Sequence, residues 1–165
     1  MFEFKDIPKL SDGELELQLD RLMPAKFEIF KVPAYYFKII KSETKEEVGT
    51  IEIRIGENEF IFYAGNIGYQ VYPKFRGHYY ASKACSLVKE VALLHGMDTL
   101  NICCLPANIP SNKTIIHLGA KYLGVYLIPF YHEMYAMGID KVNIYKWEIQ
   151  RPQTMKKAKR NWFGF

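Results

Sequence analysis

The 165-residue sequence predicts an α+β fold, in which helices pack on a single mixed, mostly antiparallel sheet of about six or seven strands. Apolar and polar residues alternate through much of the first part of the chain and again near its end, as they do in half-buried strands. From about residue 78 the apolar spacing changes to that of a helix. No internal repeat or domain boundary is visible. We therefore predict one domain over residues 1–150, followed by a basic tail at 151–165.

The early part of the chain is typical of a meander of strands. The predicted strands are ELELQLD (14–20), AYYFKIIK (34–41), VGTIEIRI (48–55) and a segment at about 60–72. The second and third flank the polar SETKEE, which favours an antiparallel hairpin. Pro73 ends the last of them because proline has no N–H to donate to a ladder. The segment 21–32 stays ambiguous, since Pro24 and Pro33 limit any helix there to a few turns.

The later part of the chain alternates helices and strands. The predicted elements are a helix at 78–95, a strand at 99–105, a helix at 108–122, and closing strands at 122–128 and 141–149. Gly96 and Gly119 are expected to end the two helices, because glycine readily adopts the left-handed conformation of a helix C-terminus. An aromatic loop joins the closing strands.

The net charge of +4 is unevenly distributed. Residues 151–165 contain five basic residues and no acidic one, so residues 1–150 are close to neutral. A nucleic-acid-binding surface needs a strongly basic face, and this body lacks the charge for one. We interpret the tail as a solvated end, with a functional basic arm as the alternative.

The three cysteines, Cys85, Cys103 and Cys104, show neither a disulfide framework nor the spacing of metal ligands. They are expected to be free thiols, mostly buried, in a reducing cytosol. The N-terminus is too charged for a signal peptide, and no apolar run approaches the length of a membrane span. The sequence therefore predicts a cytoplasmic protein without a metal ion or a membrane anchor.

The stretch YQVYPKFRGHYYASKA (69–84) reads as the end of a strand, a break at Pro73, and a corner containing Arg76 and Gly77 that opens into a helix. The first N–H groups of a helix have no partner within it, and they carry the positive end of the helix dipole. This corner is therefore a candidate anion-binding site, to which an arginine adds a charge-assisted contact.

Three stretches resemble the GCN5-related N-acetyltransferase (GNAT) superfamily, and most closely its ribosomal-protein N-terminal acetyltransferase branch. They are IGYQVYPKFRGHYYASKA (67–84), NIPSNKTIIHLGAKY (108–122) and, more weakly, VGTIEIR (48–54), in the family's order and spacing. The resemblance implies a fold in which two central strands splay apart. In this chain those are the predicted strands at 60–72 and 99–105.

The resemblance also implies acetyl-CoA as co-substrate. The implied cofactor-binding residues are Val71, Arg76, Gly77, His78, Tyr79, Tyr80, Ala81 and Asn108. The helix mouth would hold the pyrophosphate, and the backbone of Val71 would meet the amides of the pantetheine arm. Tyr79 stands where the family's loop has a glycine, and its ring must either point outward or cover the cofactor.

The family transfers acetyl to an amine by direct attack, which requires a base for the amine and a hydrogen-bond donor for the leaving thiolate. Many relatives have a tyrosine where this chain has Ile115, so Ser111 is the candidate donor; helix capping is its alternative role. Glu52 and His132 are candidate bases, and a water relay is equally consistent with the sequence. Asn66 stands where many relatives have a glutamate.

The acceptor is expected to be an amine on a small molecule or a peptide. The loop at 129–138 is predicted to line its pocket, and a homodimer contact is the alternative role of this loop. Two other functions stay open. One is a catalytically degenerate, coenzyme-A-binding member of the family, and the other, disfavoured by charge, is a nucleic-acid-binding module.

Overall fold

The computed structural model describes residues 1–150; the predicted basic tail at 151–165 lies outside the described residues. The strands are β1 (Leu10–Ser11), β2 (Leu15–Met23), β3 (Ala34–Lys41), β4 (Glu47–Arg54), β5 (Ile67–Val71), β6 (Thr99–Cys104), β7 (Lys121–Leu127) and β8 (Lys141–Glu148). The α-helices are α1 (Glu59–Ala64), α2 (Tyr80–Leu94), α3 (Ile109–His117) and α4 (Glu133–Ala136). Short 3₁₀ turns occupy Phe27–Ile29 and Pro73–Phe75.

The α+β class is confirmed, and backbone hydrogen bonds divide the strands into two antiparallel sheets. One sheet has the order β1-β2-β3-β4-β5, and the other has the order β6-β8-β7. The β3–β4 hairpin follows the sequence prediction, with Phe37 opposite Ile51 on the inward face. Those two side chains are buried, as are Val88 and Val91 of α2. The main core therefore lies between α2 and the inward faces of both sheets, and it leaves the other face of β4 open to polar residues.

The predicted strand over 60–72 is wrong in its first half, because residues 59–64 form α1. Asn58 begins this helix: its side chain accepts a hydrogen bond from the backbone N–H of Ile61 at 2.8 Å. Gly65 ends it with a φ of +80°, a conformation that glycine adopts without strain. The helix buries Ile61. Capping at both ends therefore overrides the β propensity of EFIFYA.

Asn66 joins the two sheets at the point where β5 and β6 come together. Its backbone N–H donates to the Asn101 carbonyl at 2.7 Å, and its side-chain Oδ1 accepts from the Asn101 N–H at 2.8 Å. Its Nδ2 donates to the carbonyls of Arg54 and Gly56, each at 3.0 Å. Within residues 1–150, β5 and β6 form no ladder beyond this junction. The two central strands thus splay apart, as the family resemblance implies.

Within residues 1–150, no helix is both long enough and apolar enough to cross a bilayer. The same part of the chain contains no group of three or more histidine, cysteine or carboxylate side chains arranged to hold a metal ion. All three cysteines are free thiols, and Cys85 and Cys104 are buried.

Candidate active site

A cleft of about 790 Å³ opens between the end of β5, the loop that leads into α2, and the first turns of α3. It is lined by Tyr69, Gln70, Val71, Phe75, Arg76, Gly77, Tyr79, Tyr80, Ala81, Asn108, Pro110, Ser111 and Thr114. All but one of the predicted cofactor-binding residues therefore lie around one cleft. The exception is His78, whose ring stacks on the Tyr80 ring with a centroid distance of 5.3 Å.

The loop between β5 and α2 turns sharply at two residues with positive φ, Gly77 (+91°) and Tyr79 (+60°). Tyr79 therefore adopts the left-handed conformation, which glycine adopts without strain and which costs a residue with a Cβ about 1 kcal/mol. The resembling family has glycine at this position. Its side chain is 68% exposed and its ring lies 5.2 Å from the ring of His117. The tyrosine thus places an aromatic ring at the mouth of the cleft.

The backbone of Val71 faces the cleft. The N–H of Tyr72 donates to the Val48 carbonyl at 2.9 Å, so the backbone groups of Tyr72 face β4. In an antiparallel ladder, the backbone groups of successive residues point alternately toward the neighbouring strand and away from it. The backbone groups of Val71 therefore point away from β4. The Nε of Arg76 donates to the Val71 carbonyl at 3.1 Å, so the exposed guanidinium lies beside the strand edge.

The first turn of α3 brings Ser111 to the centre of the cleft. The side chain of Asn108 begins this helix by accepting from the Ser111 N–H at 3.2 Å, so Asn108 has a capping role in addition to lining the cleft. The Ser111 hydroxyl lies 2.7 Å from the hydroxyl of Tyr69. Ile115, at the position where relatives have a tyrosine, is fully buried in the core.

Glu52 lies on the open face of β4 and lines a second cleft of about 390 Å³. Its carboxylate pairs with the Arg54 guanidinium through Oε1, while Oε2 is buried and has no hydrogen-bond partner among residues 1–150. Gly68 leaves room for this side chain, since a Cβ there would lie 2.6 Å from Oε1. Burial, together with the nearby Glu52 carboxylate, raises the pKa of Tyr36.

The two clefts meet at β5, because Tyr69 and Gln70 line both of them. The side chain of Tyr69 on β5 meets Ser111 of α3 on one side of the sheet, whereas Glu52 of β4, opposite Gly68, points to the other side. The two clefts therefore share a wall that is formed by β5.

His132 lines neither of these two clefts, and its role as a catalytic base stays a prediction from the sequence. The side chain is buried, and its Nδ1 accepts from the Met134 N–H at 3.2 Å at the start of α4. Its Nε2 lies 3.2 Å from the Phe60 carbonyl, and its ring stacks on the Phe60 ring at 4.6 Å. Both ring nitrogens therefore have backbone partners, and the histidine holds the 129–138 loop against α1.

Tyr69 and Arg54 are site residues that the sequence pattern alone does not mark. Tyr69 belongs to the Gly-Tyr pair of the family motif, but its partner Ser111 lies 42 residues away in the chain. Arg54 follows Glu52 by two residues on β4 and donates through Nη1 to the Gly65 carbonyl at 2.9 Å. Alternation along β4 was the available signal, since it places both charged side chains on one face.

Residues 8–121 match the family described as an acetyltransferase (GNAT) domain. This match covers well over half of the sequence, and the chain therefore belongs to the GNAT acetyltransferase family. No curated protein matches the sequence significantly.

Several solved acetyltransferases share the fold. The ribosomal-protein-S5-alanine acetyltransferase from Vibrio fischeri is 18% identical with a TM-score of 0.55, over 72% of this chain and 64% of that chain. The microcin C7 self-immunity acetyltransferase MccE, solved with acetyl-CoA and AMP, is 24% identical with a TM-score of 0.53, over 70% of this chain and 61% of that chain. This chain thus spans less than two thirds of the length of both.

A third structure, an acetyltransferase from Agrobacterium tumefaciens, matches over 90% of this chain and 98% of that chain, with 17% identity and a TM-score of 0.62. At these identities the structures establish a shared fold.

Proposed function

We propose that the protein transfers an acetyl group from acetyl-CoA to an amine by direct attack. The observation that supports this most strongly is that a strand edge at Val71 and a helix mouth, at residues 76, 77 and 79–81, line the same cleft at the splayed strands. This combination suits a ligand with both amides and phosphates, because the strand edge binds amides and the helix N-terminus binds anions. Family membership supports the same reaction.

The residues of the cleft divide between the two ends of this ligand. Backbone N–H groups at residues 77–81 would bind the pyrophosphate, with the Arg76 guanidinium adding charge-assisted contacts. The backbone of Val71 would bind the pantetheine amides, and its N–H would also stabilise the oxyanion that forms during attack.

Glu52 and Ser111 are proposed to assist the chemistry from opposite sides of β5. An amine must lose its proton to attack the thioester, and the unpartnered Oε2 of Glu52 is a carboxylate oxygen able to accept that proton. The Ser111 hydroxyl lies across the strand, where it would donate a hydrogen bond to the leaving sulfur. The acceptor amine would therefore enter through the cleft that contains Glu52.

The acceptor is proposed to be a small-molecule or peptide amine. The cleft that contains Glu52 is lined by residues of four strands, β2 to β5. Its lining includes the charged residues Asp20 and Arg21, which could contact a polar acceptor. The aromatic loop at 129–138 flanks this face: Glu133 pairs with Lys31 at 3.6 Å, and the Tyr131 hydroxyl donates to the Glu59 carboxylate. We propose that this loop contributes to acceptor specificity.

Binding of acetyl-CoA tests the first part of the proposal. Calorimetric titration of the full chain should show binding, and Arg76→Ala should weaken it by about 1.5–3 kcal/mol, the value of a charge-assisted hydrogen bond. Lys9→Ala is the matched control, because Lys9 is also exposed and basic but pairs with Glu16 on β2, at 3.6 Å. Equal affinity in the two variants would contradict the anion-site assignment.

Release of free thiol from acetyl-CoA tests the second part, with spermine, ethanolamine and a peptide with a free N-terminal alanine as acceptors. Amine-dependent release supports the acetyltransferase. Binding of acetyl-CoA without release, over a wider amine panel, would favour the degenerate family member instead. Ile115 and Asn66 are the reason to consider a degenerate family member. Both residues are buried, and they stand where many members of the resembling family have a tyrosine and a glutamate, respectively.

The protein is further proposed to work in the cytoplasm. Its three cysteines are all free thiols, although Cys103 and Cys104 are adjacent in the chain. Free thiols persist in a reducing compartment. Fractionation of cells that express a tagged full chain would test this location.

A further inference from the structure

The hydrogen bond between Tyr69 and Ser111 lies where the clefts of the site converge. Their hydroxyl oxygens are 2.7 Å apart. Tyr69 lines the large cleft, the cleft of Glu52 and a third cleft of about 260 Å³ between β5 and β6. Among residues 1–150, Tyr69 alone lines all three of these clefts. The phenol thus lies where the three clefts adjoin, and the reaction proposed above assigns it no role.

Either hydroxyl could donate in this hydrogen bond, and the acidity of the two groups favours Tyr69 as the donor. Burial raises the pKa of Tyr69 to about 12, so the phenol stays protonated at neutral pH. A phenol is a stronger acid than an aliphatic alcohol and therefore the better donor of the pair. With the Tyr69 O–H donating to the Ser111 Oγ, the Ser111 proton is left free to point elsewhere.

Neighbouring groups leave the serine with few other partners. The nearby Thr114 hydroxyl donates to the Pro110 carbonyl at 3.0 Å and is already engaged. Cys104 of β6 is a hydrogen-bond partner of Ser111, but burial raises the pKa of its thiol to about 11, so the thiol stays neutral and is a weak acceptor that an entering group can replace. The Ser111 O–H is therefore available to a group that enters the large cleft.

We propose that Tyr69 is a positioning residue for acetyl transfer, which holds Ser111 so that the serine O–H points at the thioester sulfur. This inference rests on the proposed function. In the reaction, the nitrogen–carbon bond forms and the carbon–sulfur bond breaks, with its electron pair going to sulfur. The amine proton passes to the Glu52 carboxylate and from there to water, and the sulfur takes up one proton from water. Ser111 stabilises the sulfur while its negative charge develops, an interaction absent from the ground state.

Steady-state kinetics of Tyr69→Phe and Ser111→Ala test this role, with acetyl-CoA and whichever of the three acceptors is used best. Ser111→Ala is expected to lower kcat more than tenfold, and Tyr69→Phe about five- to tenfold. Neither should change the affinity for coenzyme A by more than about twofold, the pattern of an interaction made in the transition state. The double variant should be no slower than Ser111→Ala, because Tyr69 acts through the serine.

Tyr72→Phe is the matched control, since its hydroxyl donates to the Glu47 carboxylate at 2.5 Å and does not line the large cleft. It should keep the wild-type kcat. Additive losses in the double variant, or a lower melting temperature for Tyr69→Phe with unchanged kcat, would overturn the positioning role. Wild-type protein that releases no thiol would instead overturn the proposed acetyl transfer, so the two failures are distinguishable.

Discussion

Replacing Asn66 with alanine should destabilise the protein more than almost any other polar substitution. Asn66 is 1% exposed, and its side chain makes three hydrogen bonds to backbone groups of Arg54, Gly56 and Asn101. Alanine removes all three while leaving the backbone groups in place. Because those groups belong to both sheets, the substitution acts on the junction of the fold.

The magnitude follows from the number of groups left without a partner. A buried donor or acceptor that loses its hydrogen bond costs about 1–3 kcal/mol. Three such groups, allowing for water reaching some of them, give a loss of about 3–5 kcal/mol. Since domains are typically stable by about 5–15 kcal/mol, the variant should unfold at a much lower denaturant concentration.

Urea denaturation of Asn66→Ala and Asn101→Ala gives the comparison. Asn101→Ala keeps the backbone N–H and carbonyl that bond to Asn66, and should therefore cost much less. A loss below about 1 kcal/mol for Asn66→Ala would show that the surrounding groups find new partners and would refute the role of this residue at the junction. Equal losses in the two variants would do the same.

Three further predictions concern the site and the N-terminal segment. Gly68→Ala should lower kcat about tenfold with unchanged coenzyme A affinity, because the new methyl group would lie 2.6 Å from the Glu52 carboxylate and displace it. Tyr79→Gly should weaken coenzyme A binding several-fold in a calorimetric titration, since it removes the ring that lines the cleft next to His117. Burial and the nearby Lys5 lower the pKa of His95 in the folded protein below 6.5. The unfolded chain therefore binds a proton at His95 more readily than the folded protein does. The melting temperature should fall as the pH drops below 6.5.

Matched variants separate these effects from general damage. In a Glu52→Ala background, Gly68→Ala should lower kcat no further, because the carboxylate that the methyl group displaces is already absent. Tyr79→Phe keeps the ring and should bind like the wild type, whereas tighter binding by Tyr79→Gly would mean that the ring obstructs the cleft. His95→Phe should remove the fall in stability below pH 6.5; a fall that persists would have to come from other groups.

The sequence predicted the elements whose periodicity was strong. The hairpin at 34–41 and 48–55 and the helix at 78–95 lie within one or two residues of their observed bounds. By contrast, α1 was missed because EFIFYA favours a strand locally, while the helix depends on an Asn58 cap and a glycine terminus. Periodicity carries no information about such caps.

The sequence predicted which positions belong to the candidate site, but it did not predict which of their side chains are in contact. The motif placed Arg76 and Ser111 correctly around one cleft, because a strand–loop–helix motif fixes local geometry. Ser111 forms its hydrogen bond with Tyr69, which lies on β5 and is 42 residues away in the chain. Nothing in a single sequence indicates that two residues so far apart in the chain are in contact. His132 was assigned to catalysis by its chemistry alone, and its burial among aromatic rings could not be inferred from a loop sequence.

The splayed strands have a consequence for how the backbone exchanges hydrogen with solvent. Residues of β5 that face β4 have ladder partners, whereas the backbone of Val71 points into the open gap. A ligand whose amides occupy that gap would supply the missing half of the ladder. The Val71 amide should therefore exchange quickly in the free protein and slowly once coenzyme A is bound. Amides of the β3–β4 hairpin, already paired on both sides, should hardly change, so protection at Val71 alone would report that the ligand completes the sheet.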